Sequence, residues 1–200
     1  MFIYHIKPKG MSVMNVLFFA FPQYADFEVA HTLFFLRKLG KAQITTFSVD
    51  GKPVESVAGL TTIANTSAEE VDVRKFDLVL LPGGDGVQEV LNNSTLSDLL
   101  KQAYTLHIPI ASICASATFL SKAGLLEGKE FTCQPGTFEH FRELFEGAHY
   151  IGSEVEIGKG FITAKGTAFP QFTLEVCKLA GLIKDSKHAE SILTFCKGSA

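Results

Sequence analysis

Cys114 stands between an apolar run, Ile108-Pro109-Ile110-Ala111-Ser112-Ile113, and a run of small residues that opens a helix, Ala115-Ser116-Ala117-Thr118, with no residues left over for a loop. A strand that turns this sharply into a helix presents the side chain at the turn on the carboxyl edge of its sheet, where open α/β folds place their sites. The unpaired N–H groups and positive dipole end of the following helix favour thiolate over thiol, which makes Cys114 a candidate nucleophile. By residue type alone it is equally a small buried hydrophobe.

A second candidate is Glu28, on a helical stretch with Phe27, Val29, Ala30, Leu33, Phe34 and Leu36. Such a helix, apolar on nearly every face, is expected to be largely buried, and a carboxylate inside it must find a partner or take up a proton. Protonated Glu28 could donate a hydrogen bond to the Cys114 sulfur; facing outward, it would pair with solvent or lysine. His31, one turn on, reads as a hydrogen-bonded structural histidine. Gly83-Gly84-Asp85-Gly86 follows a buried strand and would let backbone N–H groups approach a ligand, although it matches neither the dinucleotide nor the Walker pattern and is also explained as a bare turn. Ser116 and Thr118 suit hydrogen bonding at a helix start. Cys177 reads as core, Cys196 lies near a fraying end, and Cys133, beside Gln134-Pro135-Gly136, could border the same pocket as Cys114.

The elements that must position these residues follow from periodicity. Buried strands are expected at 14–21, 43–49, 76–81 and 108–113, and shorter extended pieces at 54–57, 60–64 and 130–133. A hairpin over 155–164 turns at Gly158-Lys159-Gly160, and helices are expected at 26–39, 87–106, 137–145, 169–181 and 186–197. Strands alternating with helices specify an α/β fold: a doubly wound, mostly parallel sheet with helices on both faces. With 200 residues, 46% hydrophobic and 20% charged, the chain suits one domain over 14–200 preceded by an extension of residues 1–13.

Net charge −3, with no basic run, gives no electrostatic footprint for nucleic acid or an anionic membrane, so small molecules or proteins are the expected partners. The apolar run at 13–21 is interrupted by Asn15, and cleavage after it would remove the first strand, so a signal peptide is not the reading; nor does any stretch reach the ~18 apolar residues of a membrane span. Four cysteines at 114, 133, 177 and 196 form no C-x-x-C pair, which suggests no zinc or other metal and no redox dithiol; reduced thiols in a cytoplasmic setting fit. No cofactor is indicated.

Ala25-Asp26-Phe27-Glu28, then Leu80-Leu81-Pro82-Gly83-Gly84, then Ile113-Cys114-Ala115 with Thr118 and the helix to Gly124, resemble in order and spacing the ThiJ/PfpI superfamily, which includes the parkinsonism-associated deglycase and the PfpI-type intracellular proteases. The resemblance covers nearly all of 14–182. It implies a flavodoxin-like fold and a homodimer, with Cys114 as the elbow cysteine, Glu28 as its acidic partner, backbone donors at Gly83, Gly84 and Ala115, and Gln134 and Thr118 at the substrate pocket. There are two departures. Gln134 precedes Pro135 where deglycase-like members carry histidine, and glutamine cannot shuttle a proton. Ala115 follows the cysteine where PfpI-type proteases carry histidine, which disfavours a Cys-His protease, and Lys165-Gly166-Thr167 replaces the His-x-Glu of glutamine amidotransferases. His31, His107, His140 and His149 are the candidates to substitute.

The resemblance implies a cysteine-dependent glyoxalase-like, deglycase-like or hydrolase-like enzyme acting on a small carbonyl or amide compound. Two alternatives stand beside it: a redox-sensing stress-response protein that uses oxidation of Cys114, and a decayed site serving as a binding module.

Overall fold

A computed structural model describes residues 13–198. The expected extension at 1–13 therefore lies, apart from Val13, outside the described residues.

The chain runs β1 (Asn15–Phe19), α1 (Asp26–Lys38), β2 (Gln43–Ser48), β3 (Val54–Glu55), β4 (Thr61–Thr62), β5 (Thr66–Ser67), β6 (Leu78–Leu81), α2 (Val87–Val90), α3 (Ser94–Thr105), β7 (Ile110–Ile113) and α4 (Ala117–Lys122). It continues through β8 (Glu130–Phe131), α5 (Pro135–His140), β9 (His149–Tyr150), β10 (Val155–Gly158), β11 (Phe161–Ala164), α6 (Phe169–Leu179) and α7 (Ser186–Lys197). Seven strands form the main sheet in the order β10-β11-β7-β6-β1-β2-β5, parallel except for the β10–β11 hairpin. The expected doubly wound α/β architecture is therefore present: α1 packs with α6, and α6 with α7, on one face, while α3 packs with α4 on the other.

Strands β1, β6 and β7 bury nearly every residue, which is why they read as continuous apolar runs and not as alternating ones. Winding reverses between β1 and β6, and at such a point the loops at the carboxyl ends diverge and leave a crevice. Beneath it Phe19 stacks on Phe47 at 4.8 Å, and Phe119 meets Phe19 and Phe21 edge-on at 5.7 and 5.5 Å.

Several expectations need correction. The helix expected over 87–106 is two helices, because the Asn93 side chain accepts the Leu96 N–H at 2.8 Å and starts a new one. The helix expected over 137–145 starts earlier, at Pro135, and its last turn is a tighter 3-10 turn, Arg142–Phe145. The edge strand β5 and the strand β9, which pairs with β8, were not foreseen; at two residues each they carry no periodicity to read. Helix α1 is not buried all round: Phe27 and Phe34 are 54% and 44% exposed, because only the stripe through Glu28, Val29, Thr32, Phe35 and Leu36 faces the protein. Cys196 is not at a frayed end but buried with Phe35, Cys177 and Ile192.

Phe119→Ala is expected to destabilise the fold by about 3–5 kcal/mol, since the ring is fully buried between two others. Urea unfolding measures this; a loss below about 1 kcal/mol would contradict the packing described.

Candidate active site

Four neighbouring parallel strands each deliver one piece of the site from their carboxyl ends. Glu28 stands in the first turn of α1 after β1, Gly83 follows β6, Cys114 follows β7, and Gly166 follows β11. Cys114 has φ of +61°, a left-handed conformation that costs a non-glycine residue about 1–2 kcal/mol. Ser116 holds the turn shut: its hydroxyl lies 2.8 Å from Ser112 Oγ, accepts the Ile113 N–H at 2.9 Å and approaches the Leu81 carbonyl at 3.0 Å, tying the elbow to β6.

The Glu28 carboxyl is 3% exposed and hydrogen-bonded to the Cys114 thiol. Its Oε2 also accepts the Gly83 N–H at 2.8 Å. Two glycines make room for the pair. A Cβ at Gly83 would lie 2.6 Å from Glu28 Oε2 and 2.5 Å from Cys114 Cβ; one at Gly166 would lie 2.5 Å from Glu28 Oε1 and 2.9 Å from Cys114 Sγ. No side chain other than hydrogen fits at either place.

Burial pushes the Glu28 carboxyl up to about 7, against the opposing effect of its bonds to Cys114 and the Gly83 amide. Burial also raises the Cys114 thiol, as does the neighbouring Glu28 carboxylate, and the Ala115 N–H acts the other way. The helix-start effect expected to favour thiolate is thus outweighed: Cys114 opens on a 3-10 turn and α4 is only six residues long, so little dipole opposes the desolvation. The thiol thus holds its proton more firmly than the carboxyl, and moving that proton to an ionised Glu28 would yield a thiolate beside a neutral acid.

A cavity of about 580 Å³ opens above the sulfur, lined in part by Glu28, Gly84, Cys114, Ala115 and Gln134. Of the expected site residues, two are placed differently. The Gly83 amide is directed at Glu28 and not at a ligand. Thr118 is fully buried, away from the cavity, and its hydroxyl donates to the Ala115 carbonyl at 2.7 Å, as its place one turn into a helix dictates. Cys133 is also fully buried and is not among the cavity-lining residues; its neighbour Gln134 is. Gln134 Oε1 accepts the Gly166 N–H at 3.2 Å and so fixes the wall behind the pair.

Sequence reasoning missed Gly166, although a glycine at the carboxyl end of a strand is the same signal that singled out Gly83. Of the four candidate histidines only His140 lines the cavity, with its Nε2 2.7 Å from Gln88 Nε2. His31 is not hydrogen-bonded as expected: it stacks on Phe169, and its Nδ1 has no partner. Among the described residues no three His, Cys, Asp or Glu side chains gather as a metal site, and no helix is long and apolar enough to cross a membrane.

A cysteine on a left-handed elbow, hydrogen-bonded to a buried glutamate at the switch point of a parallel sheet, defines a class of α/β protein built around an elbow thiol. The chain belongs to the DJ-1/PfpI family, whose sequence model matches residues 14–179. It is 32% identical over 164 residues to dj-1beta of Drosophila melanogaster, covering 79% of this chain and 85% of that one. It is 26% identical over 152 residues to a deglycase of Pyrococcus abyssi, covering 76% and 90%. The crystal structure of a DJ-1 superfamily protein from Agrobacterium tumefaciens superposes with a TM-score of 0.80 at 26% identity, covering 92% and 98%.

A glutamate whose carboxyl is raised in the folded state binds its proton more tightly there, so its contribution to stability is present at low pH and is lost as pH rises from 4.5 to about 7. The wild type should lose about 3 kcal/mol across this window, and Glu28→Gln should flatten it. Urea midpoints measured at several pH values decide; equal slopes in both proteins would contradict the assignment.

Proposed function

We propose that the chain is a cysteine-dependent enzyme of the glyoxalase or deglycase kind, acting on a small carbonyl compound. The observation that carries this reading is the Cys114–Glu28 pair, hydrogen-bonded and opening into a cavity large enough for such a substrate. The deglycase name of the archaeal relative supports it.

With methylglyoxal the chemistry balances as a hydration. Cys114 Sγ bonds to the aldehyde carbon, and the thiol proton passes through Glu28 to the carbonyl oxygen, giving a hemithioacetal. Gly84 and Ala115 line the cavity with Cys114, and in this reading their amides donate to the developing oxyanion. The hydrogen on the aldehyde carbon then moves as a proton to the adjacent ketone carbon while the hemithioacetal hydroxyl proton passes to the ketone oxygen, leaving a thioester of lactate. Water cleaves the S–C bond and the thiol takes back its proton. Glu28, poised near 7, can both take and return a proton at neutral pH. Gln134 cannot, and losing an acid–base group slows such a reaction ~10²–10⁴-fold. We infer a slow enzyme, working as a homodimer in a reducing cytoplasm.

The amide at position 134 also favours a second reading. Oxidation of Cys114 by hydrogen peroxide to a sulfenic acid, and by a second peroxide to a sulfinic acid, each releasing water and read by a partner in a stress response, uses the sulfur and its acidic neighbour and no second acid–base group.

The purified protein should form D-lactate from methylglyoxal, and Cys114→Ala should abolish it. Turnover equal in both proteins, or none in either, would remove the enzyme reading; peroxide uptake at Cys114 in a protein without turnover would leave the second.

A further inference from the structure

The cavity over Cys114 is uneven in charge. Its floor carries Glu28, and its rim carries Asp85, on the turn that follows β6. These two acids stand close enough that Asp85 acts electrostatically on Glu28. Among the described residues no lysine or arginine lines the cavity, and the imidazole of His140 is engaged with Gln88. The remaining wall is largely apolar, with Phe27, Val57, Val87 and Phe141. An anion entering this space approaches two carboxyl groups and loses water with no cation to replace it. A neutral molecule meets neither penalty, and an apolar tail on it covers side chains otherwise left wet.

We propose that the cavity is a charge filter in which Asp85 determines specificity: it admits neutral α-oxoaldehydes with an apolar or aryl tail and turns away α-oxoaldehydes that carry a carboxylate. The substrate class rests on the enzyme reading above. The filter does not, because it acts on any electrophile that reaches Cys114 Sγ.

Iodoacetamide and iodoacetate separate the two ideas, since both deliver a similar carbon to sulfur with loss of iodide and differ chiefly in charge. Rates of labelling at Cys114, followed by mass spectrometry and each normalised to a free thiol, should favour the neutral reagent by about tenfold. Asp85→Asn should narrow that ratio about threefold or more, added salt should narrow it too, and Val57→Lys, which places a cation on the wall, should narrow or invert it. In turnover, kcat/KM for phenylglyoxal should exceed that for 4-carboxyphenylglyoxal, which keeps the reacting oxoaldehyde and adds a negative charge, and Asp85→Asn should narrow that ratio. Equal normalised labelling rates in the wild type, or a ratio that neither substitution moves, would overturn the filter. A labelling ratio that behaves as expected in a protein that turns over no oxoaldehyde would support the filter while removing the enzyme reading.

Discussion

The structure around the site depends on one contact, the hydrogen bond between a buried carboxyl and a sulfur. Among the described residues no cation stands beside Glu28, and its carboxyl is held by the Gly83 amide and the Cys114 thiol. An isolated carboxylate in such a place costs several kcal/mol, and the compromise is a group that gives up its proton only near neutrality. The constraint runs outward. Cys114 must take a left-handed conformation to face Glu28, Ser116 must clamp that turn, and Gly83 and Gly166 must lack side chains because the pair occupies their space.

The parallel sheet makes this contact attainable because four adjacent strands end at the same level. Each contributes one short, rigid departure, so the residues meet without a long loop to order. Gln134 completes the arrangement from outside the main sheet by anchoring Gly166. An amide there fixes geometry and does not shuttle a proton, so the proposed chemistry relies on Glu28, the titratable group beside the sulfur.

Much of this was legible in the sequence, for reasons that differ by residue. Cys114 showed itself because an apolar run met a small-residue helix start with nothing between them. Glu28 showed itself as an acid on a helix apolar on nearly every face, and the buried strands β1, β6 and β7 as unbroken hydrophobic runs. What was not legible depends on contacts between distant segments. Thr118 and Gly83 match the family pattern, yet their hydrogen-bonding groups are committed elsewhere, to Ala115 and to Glu28. The exposure of Phe27 and Phe34 could not be read from α1, because apolar residues on nearly every face do not say which face is covered. Nor could the choice of His140 over His31 at the cavity, since that depends on α5 folding back beside α2.

The proposed chemistry turns on Glu28 and Cys114 holding one proton between them. The most direct measurement is the pH profile of Cys114 labelling by iodoacetamide in the wild type and in Glu28→Gln. The wild-type rate should rise through an inflection near pH 7, where the pair loses its first proton, and then level off. Glu28→Gln should lose that inflection and react about tenfold more slowly at neutral pH. Superimposable profiles would mean that the carboxyl and the thiol titrate independently, and the shared proton would be ruled out.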